Sequence, residues 1–141
     1  MDAHRNAGVA GLFACLAALA VSAPEAHAAS VSWRAQEGAC AEWAGPWTLT
    51  SQGGGRWSGR IDYRMTGGKC VRGDGQRFSA DVELQIDGGR WRARRFNSSD
   101  HNDCRYRGEV VGGELHGTNS CDNGGSARVE IDMNSGLAPR R

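Results

Sequence analysis

The stretch "CRYRGEVVGGELHGTNSC" carries Cys104 and Cys121 at its ends and His116 inside. Thiolate and imidazole are zinc ligands, so these three residues could supply most of a tetrahedral site. The two thiols could instead form a disulfide. A second cluster, "NSSDHND" over residues 97–103, places His101 among serine and aspartate, the residue types of nucleophilic catalysis. Its acidic and amide groups are also potential Ca²⁺ ligands. A third, "RWRARRF" over residues 90–96, is a dense run of guanidinium groups suited to bidentate contacts with anions. Which of these can act depends on the elements that aim the side chains.

Those elements read as β-strands. Glycine clusters ("QGGG", "TGG", "RGDG", "DGG", "VGG", "DNGG") recur at short intervals, and the runs between them alternate with period two. Trp57, Ile61, Tyr63 and Met65 share one face of "RWSGRIDYRM", opposite Arg56, Arg60, Asp62 and Arg64. Val82, Leu84 and Ile86 oppose Asp81, Glu83, Gln85 and Asp87; Ala127, Val129 and Ile131 oppose Arg128, Glu130 and Asp132. Alternation bounded by turn residues predicts half-buried antiparallel strands. Seven are expected: 46–51, 56–66, 79–87, 90–96, 104–111, 114–121 and 126–133. Short connections favour an all-β, single antiparallel meander, either a strongly curved sheet or a small up-and-down barrel. Residues 30–45 are expected to be an irregular N-terminal segment, able to add an edge strand or a cover. The meander domain spans 46–133, and 134–141 is expected to be a disordered tail.

The chain opens with Arg5, an apolar run from Gly8 to about Ala20, and small residues before a cleavage point after Ala28 or Ala29. This is the layout of a secretory signal peptide over residues 1–29, too short in its apolar part to span a bilayer. "LFAC" could be a lipoprotein box around Cys15, but the apolar run before it is very short and Phe13 fits poorly. Of the chain's 17 basic and 16 acidic residues, cleavage removes Arg5, Asp2 and Glu25, leaving 16 and 14. The mature protein is expected to be periplasmic or extracellular, without a transmembrane segment. Four cysteines remain, Cys40, Cys70, Cys104 and Cys121, an even number that in a short exported chain suggests disulfides.

Register arithmetic pairs them. With Gly112–Gly113 as a two-residue turn, facing positions have numbers that sum to 225, so Cys104 faces Cys121. The pair falls at a non-hydrogen-bonded site, where Cα atoms are about 4.5 Å apart, close to what a disulfide accepts. In the hairpin around "QGGG", placing Leu49 and Trp57 on one face requires a sum of about 106 or 108. Cys40 and Cys70 lie within one or two residues of that register. Two disulfides, Cys40–Cys70 and Cys104–Cys121, are therefore expected. Leu115 points inward with both cysteines, so His116 points outward opposite Glu109, and no metal site is expected.

No GxSxG elbow is present and no catalytic constellation is identifiable. "NSSDHND" reads as a polar connector without an EF-hand pattern. Asn97 begins a glycosylation sequon, and Arg72 to Asp74 spell the "RGD" attachment tripeptide, most simply a turn. By parity Trp47, Trp57 and Trp91 join the core, leaving Trp33 and Trp43 as candidates for an exposed aromatic platform.

The arginine run remains. With Gly88–Gly89 as the turn, Asp87 faces Arg90 and Glu83 faces Arg94. A turn at Asp87–Gly88 gives Glu83–Arg92 and Asp81–Arg94 instead. On the other side, a meander could set Arg94 near Arg105 and Arg92 near Arg107. Residues 56–107 hold 12 basic and 7 acidic side chains; residues 108–138 hold one and five. This dipolar layout points to a basic strip of Arg92, Arg94, Arg105 and Arg107.

The "GxW", "WSG" and "GxVxGGxLxG" elements, with paired cysteines behind a signal peptide, resemble small exported disulfide-containing β-proteins of proteobacteria, most of them uncharacterised. The resemblance covers about residues 40–133. It implies a β-fold and an envelope location and assigns no catalytic residue. The expected function is non-enzymatic binding, without a cofactor, of an anionic glycan, lipid headgroup or acidic protein surface. Nucleic acid is not expected in this compartment. The alternative is a β-barrel inhibitor of an envelope or secreted hydrolase (lysozyme or protease), acting through a loop such as 67–78; a small hydrolase is the third reading.

Overall fold

The computed structural model describes residues 30–70 and 75–137. The expected signal peptide, the "RGD" tripeptide at Arg72 to Asp74 and the final residues 138–141 lie outside the described residues. Eight antiparallel strands follow one another around a closed barrel. They are β1 (Ser30–Gly38), β2 (Ala41–Gly53), β3 (Arg56–Gly68), β4 (Arg77–Asp87), β5 (Arg90–Phe96), β6 (Cys104–Val111), β7 (Glu114–Cys121) and β8 (Ser126–Asp132). The barrel alternative is thus the correct one of the two expected forms. Pairing of β1 with β8, from Arg34↔Asp132 to Gly38↔Arg128, closes it.

The N-terminal segment differs from expectation. Residues 30–45 are not irregular: they form β1 and the first part of β2. Two features hid them. Inward positions on β1 run Trp33, Ala35, Glu37, so a buried carboxylate interrupts the apolar alternation. On β2, Pro46 lacks an N–H and reads as a strand boundary; the pairing with β3 steps over Gly45 and Pro46. Trp33 and Trp43 consequently form no exposed platform. Trp33 is buried, its ring 5.1 Å from that of Trp57, and Trp43 packs edge-on against Phe78 at 4.8 Å. The tail is also partly ordered. A short 3₁₀ turn at Ser135–Leu137 follows β8, and Ser135 Oγ accepts the Arg34 N–H at 2.7 Å while donating to the Asp132 carbonyl at 2.6 Å. It covers the part of β1 that extends past β8.

The two barrel ends differ. At one end the β2–β3, β4–β5 and β6–β7 connections are tight glycine turns. In the last, Gly112 (φ 57°) and Gly113 (φ 85°) both adopt the left-handed conformation that a type I′ turn needs. The opposite end carries the longer connections, including 97–103, and both disulfides, Cys40–Cys70 and Cys104–Cys121. The β6–β7 register sums to 225 throughout, and β2–β3 holds 108 along its centre, with bulges displacing its ends. Inside, Trp47, Tyr63, Leu49, Ile61, Leu115, Ile131, Val82 and Val129 are fully buried. Gly108 and Gly117 face each other on adjacent strands. A methyl at Gly108 would lie 1.9 Å from the His116 carbonyl oxygen, and one at Gly117 would lie 2.7 Å from the Trp91 ring. Glycine there permits the sharp wall curvature that closure requires.

Candidate anion-binding face

Alternation on β5 divides "RWRARRF" between two environments. Trp91, Ala93 and Arg95 point into the barrel; Arg90, Arg92 and Arg94 are exposed on its wall. The Gly88–Gly89 turn sets the first of the two possible registers: Asp87↔Arg90, Gln85↔Arg92 and Glu83↔Arg94. The neighbouring strand sets Arg90↔Glu109, Arg92↔Arg107 and Arg94↔Arg105. The sheet therefore brings all four strip residues together as two like-charged cross-strand pairs. Adjacent strands are about 4.8 Å apart, and like charges directly opposite destabilise a sheet.

Neutralisation is incomplete. Arg94 Nη2 meets Glu83 Oε2 at 3.3 Å, but both side chains are more than half exposed, so the pair contributes little. Arg94 also lies 4.5 Å over the Phe96 ring. Among the described residues Arg92, Arg105 and Arg107 form no ion pair. Following the pairing across β3 to β8 gives a row of Arg56, Gln85, Arg92, Arg107, Thr118 and Arg128. It contains no carboxylate. Two open grooves lie over this wall, of about 860 and 850 Å³. Both are lined by Gln85 and Arg92, so they adjoin.

The other clusters resolve differently. Cys104 and Cys121 are bonded to each other. His116 lies opposite Glu109, and its Nε2 is 2.6 Å from Glu114 Oε2. In the 97–103 loop Ser98 Oγ donates to Asp100 Oδ1, while the His101 side chain is exposed and takes no part in that contact. The loop is pinned to β4: Ser99 N–H donates to the Ser79 carbonyl at 2.8 Å, and Ser79 N–H to Ser99 Oγ at 3.0 Å. Asn97, the sequon residue, is exposed, with Nδ2 3.0 Å from Asp81 Oδ2. No helix among the described residues is long and apolar enough to cross a membrane.

Sequence reasoning missed a buried polar cluster under the disulfide-bearing end. Glu37, Arg95 and Asn119 all point inward and are each at most 5% exposed. Tyr106 OH donates to Glu37 Oε2 at 2.9 Å, and Asn119 Nδ2 donates to Glu37 Oε1. Arg95 Nη1 is 3.7 Å from Glu37 Oε1, and Nη2 donates to the Asn102 carbonyl at 2.8 Å. Arg95 also lies 4.6 Å over the Phe78 ring. Burial raises the Glu37 pKa above the usual carboxylate value, more than the Arg95 charge and the donated hydrogen bonds lower it. Burial and the nearby Glu37 raise Tyr63 and Tyr106 well above an ordinary phenol. The signal was parity: Arg95 shares its face with Trp91 and Ala93, Glu37 with Trp33 and Ala35, and Asn119 with Leu115 and Gly117. Arg95 Nε is left without a hydrogen-bond partner; the remaining contacts hold the cluster together out of reach of solvent and tie the 97–103 loop to the barrel.

Comparison with protein-family models, curated proteins and solved structures finds no match to this chain.

Proposed function

We propose that this protein is an exported, non-enzymatic binding module that takes an anionic ligand on the outer wall of its barrel, with Arg92, Arg94, Arg105 and Arg107 as the contact residues. One observation carries the reading: Arg92 and Arg107 face each other in a row that holds no carboxylate. Each such pair opposes sheet formation by a few tenths to about 1 kcal/mol. A bound carboxylate, sulfate or phosphate converts both guanidinium groups to charge-assisted, bidentate hydrogen bonding, stronger than neutral contacts. The arginines extend from a closed barrel rather than from loops, which fixes their spacing before the ligand arrives.

Heparin chromatography tests this. The protein is expected to be retained at low salt and released as salt rises, and Arg92→Glu combined with Arg105→Glu should abolish retention. Passage through the column unretained at low salt would refute the proposal.

A further inference from the structure

The two grooves on the arginine wall meet at Gln85 and Arg92. Together they run from Arg56 on β3 to Thr118 on β7, four strand intervals, or about 19 Å at the usual strand separation. A lone phosphate or sulfate would occupy a small part of that length. Along the central row, charged and neutral groups are interspersed: Arg56, Gln85, Arg92, Arg107, Thr118. The flanking rows each carry carboxylates, Glu83 beside Arg94 on one side, Asp87 and Glu109 around Arg90 on the other. Only a narrow lane is therefore free of negative charge. A ligand filling it must be a single extended chain whose anionic groups are separated by neutral, hydrogen-bonding ones.

Resting on the anion-binding reading above, we infer that the ligand is an anionic polysaccharide, lying across the strands along the Arg56–Thr118 row. Sulfate or carboxylate groups meet the guanidinium groups, and sugar hydroxyls meet the Thr118 hydroxyl and the Gln85 amide oxygen, the Gln85 amide nitrogen donating to the Gly54 carbonyl at 3.2 Å. A chain with a charge on every unit, such as polyphosphate, would oppose the carboxylates at the margins. Single-stranded nucleic acid binds largely by stacking bases on aromatic faces. The groove offers little such surface: Trp91 and Tyr106 are 3% and 2% exposed, and Trp57, a partly exposed aromatic that lines it, packs against Trp33.

Size-defined hyaluronan oligosaccharides, in which each carboxylate-bearing sugar is followed by an uncharged one, polyphosphate and a single-stranded oligonucleotide, titrated separately at one low salt concentration, test the class. Affinity should rise at least about tenfold from disaccharide to octasaccharide, as successive arginines engage. Polyphosphate and the oligonucleotide should bind more weakly than the octasaccharide. Thr118→Asp, which places a carboxylate in the lane between Arg107 and Arg128, should weaken octasaccharide binding by about tenfold or more without lowering the thermal midpoint. Equal affinity for disaccharide and octasaccharide, or tighter binding of polyphosphate or the oligonucleotide, would overturn the polysaccharide assignment and leave anion binding standing. Failure of every probe to bind would overturn both.

Discussion

Arg95 and Glu37 sit 3.7 Å apart inside the barrel, each side chain 4% exposed. They come from β5 and β1, strands that are not neighbours, and meet across the barrel interior. Breaking a buried pair by removing one partner leaves the other charge uncompensated, a loss of about 3–5 kcal/mol. Arg95→Met should therefore destabilise the fold by about 3 kcal/mol in urea unfolding. The double variant Arg95→Met with Glu37→Leu should recover part of that loss; a simple sum of the single losses would show that the two groups are not coupled.

The Glu37 carboxyl also gives stability a pH dependence. Its folded pKa is raised above its ordinary value of 4.5, so the folded state binds its proton more tightly than the unfolded chain. Its contribution is full below about pH 4.5 and is lost as pH rises through the folded value. The stability advantage of the native protein over Glu37→Gln should accordingly be largest near pH 4 and narrow toward neutrality. Parallel denaturation curves across that range check the sign; an advantage that widens with pH would contradict it.

The disulfides staple the end where the connections are longest. Replacing Cys104 and Cys121 together by serine should remove about 2–4 kcal/mol. The same substitution at Cys40 and Cys70, whose intervening segment is longer, should remove at least as much. Thermal melts of the two variants measure both.

Arg107 faces Arg92 and has no ion-pair partner among the described residues. Arg107→Thr should leave stability unchanged or raise it by a few tenths to about 1 kcal/mol, while lowering the salt concentration that releases the protein from heparin. Opposite signs for stability and binding are the signature of a residue kept for its ligand. Loss of both together would mark Arg107 as structural.

Gly108 lines the curved wall where a methyl group would meet the His116 carbonyl. Gly108→Ala should force the β6–β7 backbone apart and destabilise by about 1–3 kcal/mol. Gly89, where an added methyl meets nothing within 4 Å and φ lies outside the left-handed region, should accept alanine with little change. A matched pair of chemical denaturation curves separates the two outcomes.

Local rules in the sequence determined most of the strand pattern. Period-two alternation set which side chains point inward on β3 to β8, and the glycine turn at 112–113 set the register that joins Cys104 to Cys121. On β4 and β5 the turn residues left two registers open, and the meander suggested only that Arg92 and Arg94 lie near Arg107 and Arg105; the structure fixes both pairings. Hairpin geometry is local, so adjacent strands were legible.

Only the tertiary structure decided closure, because β1 and β8 lie about a hundred residues apart and no turn links them. It also decided the fate of the charges that break the pattern. Glu37 reads as a polar interruption, and Arg95 as one more member of a basic run. Each is tolerable at an inward position because the other, with Tyr106 and Asn119, lies across the interior to receive it. A buried charge needs a partner in space, and the barrel brought these partners together from four different strands.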